Sequence, residues 1–123
     1  TKLEISAAIV NAEVYLRLGT AAGIAATGYG SWSGTQDGGA TNVTTDLTKL
    51  SGWSSTFTNG TFYLNLVDEA NHTWEATAIQ SRGGSAIQTI AGYVSLSGPL
   101  DRFQIYSGGT NYHAASTFKT RWS

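Results

Sequence analysis

The chain has 123 residues, 15 of them glycine, no cysteine, only 12% charged side chains and a formal net charge of −1. That length suits one domain with a single core, and the missing thiols exclude disulfides and Cys-ligated zinc. The seven Lys and Arg are scattered, which offers no basic face for nucleic acid or an anionic membrane surface, and no apolar run approaches the ~20 residues of a transmembrane helix.

In chain order, period-2 alternation predicts one strand after another. Leu3 and Ile5, with Ala7, alternate with polar residues, and Val14, Leu16 and Leu18 alternate with Glu13, Tyr15 and Arg17. Residues 20–26 come nearest to a helical pattern but are short and carry Gly23. Gly19, Gly23 and Gly28 mark bends or positive φ. Residues 30–58 are the least regular stretch, rich in Gly, Ser and Thr, and read as long loops. Phe62, Leu64 and Leu66 form the next strand. Trp74, Ala76 and Ala78 follow, then Ile90, Gly92, Val94 and Leu96, then Phe103 and Ile105, and finally Phe118 and Thr120.

Turn residues separate these runs: Asp37-Gly-Gly, Asn59-Gly60, Asp68-Glu-Ala-Asn71, Arg82-Gly-Gly and Ser107-Gly-Gly. The last is expected to join two C-terminal strands as a hairpin. Asn59-Gly60 is either a type I′ turn or a loop that starts a strand. Asp101 and Arg102 are adjacent on extended chain, so they are expected on opposite faces with different partners. Eight or nine strands of this kind predict an all-β fold, an antiparallel β-sandwich of jelly-roll type.

Chemistry-bearing constellations are sparse. Asp68 and Glu69 sit together in a turn and Glu75 on a strand, which does not supply the facing carboxyl pair, about 5 Å apart, of a retaining glycosidase. His72 and His113 are the only histidines, too few for zinc without carboxylates that the fold would have to bring to them. Asp37, Asp46 and Asp68 do not form a calcium loop. We therefore expect no catalytic residues, no metal and no cofactor. Aromatic side chains are the better candidates, because a sugar ring stacks its apolar C–H face on Trp or Tyr while its hydroxyls take Asn, Gln, Asp or Arg. Trp32 and Trp53 are expected as an exposed carbohydrate platform beside Gln36 and Asp37, with Tyr112 and His113 next, at the turn into the last strand. Trp74 and Tyr29 read instead as core, and Trp122 as closing a sheet or meeting a neighbouring subunit.

Three blocks, in order and covering most of the chain, carry a resemblance. They are Leu16-Arg-Leu-Gly-Thr-Ala-Ala-Gly-Ile-Ala-Ala-Thr-Gly-Tyr29, Gly60-Thr-Phe-Tyr-Leu-Asn-Leu-Val-Asp-Glu-Ala-Asn-His-Thr-Trp74, and Ser97-Gly-Pro-Leu-Asp-Arg102 with the Gly109-Thr110 turn and the terminal strand. Together they resemble small sandwich domains of tailed-phage virion proteins, either terminal modules of tail fibres and tailspikes or particle-surface proteins. This chain departs from that pattern at His113-Ala-Ala-Ser116, where the family has Phe-Asp-Ala-Gly, so no role of that Asp carries over. The resemblance implies a concanavalin-like or jelly-roll sandwich, a homotrimer on the virion, and contacts with other virion proteins. It also implies a non-enzymatic receptor-binding role toward bacterial surface polysaccharide. A capsid-decoration or tail-assembly module without sugar binding, and a stand-alone lectin or carbohydrate-binding module, are the alternatives. Residues 1–123 are expected to form one domain, the C-terminal module of a longer chain.

Overall fold

A computed structural model describes residues 2–8, 14–35, 42–44, 52–53, 57–82, 86–107 and 117–122. Among them are eleven strands and no helix: β1 (Lys2–Ala8), β2 (Val14–Thr20), β3 (Gly23–Ile24), β4 (Tyr29–Thr35), β5 (Asn42–Thr44), β6 (Gly52–Trp53), β7 (Phe57–Asp68), β8 (Thr73–Arg82), β9 (Ala86–Ser95), β10 (Arg102–Ser107) and β11 (Thr117–Trp122). β3 and β6 have only two residues each, which leaves nine longer strands. The larger sheet has the order β11-β1-β7-β8-β9-β4-β5; the smaller has β10-β2-β3, with β6 also on β2. All pairings are antiparallel. The predicted all-β sandwich is what forms; this seven-against-four arrangement does not establish jelly-roll connectivity.

The predicted alternation sets the core. Leu3 and Ile5, Phe62 and Leu64, Trp74, Ala76 and Ala78, and Ile90 and Val94 point inward from the larger sheet and are buried. Leu16 and Leu18 meet them from the smaller sheet, with Phe103 and Ile105 packed at the margin. Each buried Leu, Ile, Val or Phe of this set stabilises the fold by about 1.5–3 kcal/mol relative to exposure. The β7–β8–β9 meander is the centre of this face. Its first turn is held by Asp68, whose carboxylate accepts from the Asn71 side-chain amide (2.7 Å) and from the Asn71 backbone N–H (3.1 Å). His72 completes the turn with a positive φ of 50°.

One buried phenol ties the two sheets together. Tyr29, on β4 of the larger sheet, accepts from the Leu18 N–H (2.9 Å) and donates to the Ala25 carbonyl (2.8 Å). The Leu18 carbonyl is already served by the Ala25 N–H at 2.9 Å. Without the phenol oxygen, the Leu18 N–H would be buried beyond the end of its ladder with β3, which stops at Gly19↔Ile24.

Four local expectations are corrected. The strands flanking Ser107-Gly-Gly are not a hairpin: β10 pairs with β2 in the smaller sheet and β11 with β1 in the larger. Alternation identifies a strand but not its partner. Asn59-Gly60 lies inside β7 in regular register with Ser81 and Gln80, just past a register shift between Phe57 and Asn59, so the pair is neither a turn nor a loop. Asp101 and Arg102 bond each other, Nε to Oδ1 at 2.8 Å and the second guanidinium nitrogen at 2.7 Å. Asp101 precedes the strand, so the pleat does not force them apart, and both are half-exposed, which makes the pair worth little. Finally, residues 29–35, the start of the supposed loop region, form β4.

The glycine expectation holds for Gly23 and Gly28, with φ of 131° and 94°. Gly19 is a different case. There β3 crosses so closely that a Cβ would sit 2.8 Å from the Ile24 Cα.

Candidate functional site

The larger sheet turns its second face outward, and the registers assemble that face residue by residue. One cross-strand row reads Tyr63, Thr77, Ala91, Trp32 across β7, β8, β9 and β4. The row on one side reads Asn65, Glu75, Tyr93, Gly30, and the row on the other reads Thr61, Ile79, Thr89, Gly34. The centre of the middle row, Thr77 and Ala91, carries small side chains, and large ones stand around it. The result is a basin with Thr77 and Ala91 as floor, Trp32 and Tyr63 as end walls, and Tyr93 and Ile79 at opposite corners. Two concavities of about 480 and 440 Å³ occupy it and share Thr77 and Ala91, so they form one continuous depression.

Gly30 shapes one wall. A Cβ at this position would lie 2.8 Å from the Tyr93 Cζ, because the Tyr93 ring is laid across the bare backbone of β4. This brings the ring beside Trp32 in the same concavity. Tyr93 is 56% exposed and Tyr63 48% exposed, and Trp32 is half-buried, so all three present ring surface while resting on the sheet.

The polar groups differ in state across this face. At its margins hydroxyls satisfy each other, Ser6 with Thr61 at 2.9 Å and Thr73 with Ser95 at 2.8 Å. At the basin, Glu75 and Thr77 are exposed and have no hydrogen-bond partner among the described residues. Glu75 is also the one side chain among the lining residues that is charged at neutral pH. A lone carboxylate with hydroxyls and aromatic rings can bind and orient a polyhydroxylated ligand. Among the described residues no group of three or more His, Asp or Glu could hold a metal ion.

The six residues expected to bind carbohydrate fare differently. Trp32 lies on β4 and looks outward into the basin. Trp53 lies on β6, where it pairs with Val14 in the smaller sheet, so the two tryptophans do not share a sheet. Gln36, Asp37, Tyr112 and His113 lie outside the described residues. Trp74 and Tyr29 are core, as read from the sequence, at 3% and 1% exposure. Sequence reasoning missed Tyr63, Glu75, Thr77 and Tyr93 as partners of Trp32. The alternation did place them on the outward face; what it lacked was the register that sets them around one floor.

A smaller concavity of about 210 Å³ lies between the 69–72 turn, Pro99 and the exposed ring of Trp122 on the edge strand. Trp122 pairs with Leu3 there, on the edge strand of the larger sheet.

No known protein family, no curated protein and no solved structure matches this chain. The likeness to phage virion domains therefore rests on the three sequence blocks alone.

Proposed function

We propose that this domain is a non-enzymatic glycan-binding module, acting as a receptor-binding domain of a phage tail fibre or tailspike that recognises bacterial surface polysaccharide. The observation that carries the binding reading is the basin itself: Trp32, Tyr93 and Tyr63 present ring surface around Glu75 and Thr77, which have no hydrogen-bond partner among the described residues. Aromatic rings supply stacking area at low entropic cost. The open oxygens on the floor accept and donate to hydroxyls that would otherwise lose their water. The phage setting comes from the sequence blocks, and a three-fold fibre would turn weak sugar contacts into avidity.

The same face also favours a second reading. Ile79 and Ile87 are 68% and 42% exposed on it, and branched aliphatic side chains serve a protein neighbour better than a sugar. A decoration or assembly module would use them as a subunit contact.

One experiment separates the two. The purified chain is sized by light scattering and tested for binding to host-type capsule and lipopolysaccharide, alongside Trp32→Ala and Tyr93→Ala. The glycan reading expects saturable binding, competed by free saccharide and weakened at least tenfold by either change. Self-association or particle binding without any glycan binding would replace it with the assembly reading.

A further inference from the structure

The basin has a length and a charge, and both constrain what it can hold. Trp32 and Tyr63 stand in one cross-strand row, three strand spacings apart, which is roughly 14 Å. One pyranose ring cannot touch both. The floor between them, Thr77 and Ala91, is low and open along the row, so a ligand reaching both walls lies across the strands as a chain.

Charge sets the second constraint. Among the described residues no lysine or arginine lines either concavity, while Glu75 does. The cations that the registers put on this face, Lys2 on β1 and Lys119 and Arg121 on β11, all stand beyond β7, and Arg121 is directly opposite Glu4 in the ladder. An acidic sugar centred on Thr77 would thus meet a carboxylate and find no cation among the described lining residues. A neutral sugar would give Glu75 a hydroxyl or amide N–H to accept from, at no electrostatic cost.

We infer that the ligand of this basin is a neutral oligosaccharide segment of at least two or three sugars, lying across β4, β9, β8 and β7, and not an acidic polysaccharide. This rests on the glycan-binding reading above. It adds sugar charge, chain length and direction to that reading.

The test is an array of bacterial polysaccharide fragments, neutral and uronate- or sialate-bearing, each as monosaccharide through hexasaccharide. It is probed with the full chain, Tyr63→Ala and Glu75→Lys. Both positions are exposed, and thermal melting confirms that the variants fold. The expected result is binding to neutral fragments that strengthens with length and changes less than about twofold between low and high salt, as uncharged ligands require. Tyr63→Ala is expected to remove the gain from length, leaving hexasaccharides roughly tenfold weaker, the loss of one aromatic contact. Strong, salt-sensitive binding to acidic fragments only would overturn this inference and leave the glycan reading standing. Equal affinity for mono- and hexasaccharides would overturn the chain-length part. No binding anywhere on the array would overturn both.

Discussion

The two faces of the larger sheet are written by the same strands, in alternate residues, yet they obey different rules. Inward, Phe62, Leu64, Ala78 and Ile90 are sealed against the smaller sheet at 0–1% exposure. Outward, one residue along each strand, Tyr63, Ile79 and Tyr93 stand about half or more exposed around a floor of Thr77 and Ala91. The inward face has lost its water and gains stability from packing. The outward face keeps large apolar side chains in water, where they add little to stability and are free to serve recognition. A period of two thus separates fold from function at single-residue resolution, and mutations should separate the same way.

The largest effect should come from opening the inward face. Phe62→Ala is expected to cost about 3–5 kcal/mol in urea unfolding; a loss under about 1 kcal/mol would mean the core is not where the registers put it. Tyr29→Phe tests the link between the sheets. It strands the Leu18 N–H, for an expected cost of about 1–3 kcal/mol, and an unchanged midpoint would show that the phenol is not holding β2. Two glycines sharpen the contrast. Gly19→Ala drives a methyl against backbone and should destabilise by about 1–3 kcal/mol. Gly30→Ala pushes only against the exposed Tyr93 ring, which can swing into solvent. It should shift the melting temperature far less while weakening ligand binding, because it displaces one wall of the basin. If both glycines behave alike, the two faces are not separable.

The smallest effect belongs to the Asp68 turn, outside both faces. Its carboxyl is held below the ordinary 3.8, first by the Asn71 side-chain amide and then by the Asn71 N–H. A lowered folded value means that the ionised group favours the fold above pH 3.8 and that this contribution is lost as pH falls through the folded value. The stability difference between the wild type and Asp68→Asn should be flat from pH 8 to 5 and shrink below pH 4. A difference that grows toward acid would reverse the assignment.

Much of the fold was legible because alternation is a direct consequence of the pleat. Leu3, Ile5, Leu16, Leu18, Phe62, Leu64, Ile90 and Val94 all point inward, as their spacing demanded. Pairing was less legible. Nothing local in Phe103 or Phe118 tells that their strands enter different sheets, since that choice is made by long-range packing. Asn59-Gly60 has turn chemistry, yet it sits in regular register inside β7, paired on both sides. β4 escaped notice because its Gly30, Ser31, Ser33 and Gly34 give the alternation almost no apolar contrast. At the candidate site, Trp32 was legible as an aromatic in a polar setting. Tyr63, Glu75, Thr77 and Tyr93 were not, because each alone is an ordinary solvent-facing strand residue, and only the register of three ladders gathers them.

The most direct test is an NMR titration of the full chain with neutral hexasaccharides of glucose, mannose and galactose. The indole N–H of Trp32, the amides of Glu75 and Thr77 and the methyls of Thr77 and Ala91 would be followed. The account predicts saturable shifts at these positions, while the inward methyls of Leu64 and Ile90 stay in place. Shifts that cluster elsewhere, or none at all, would contradict the assignment of the outer sheet face as the binding surface.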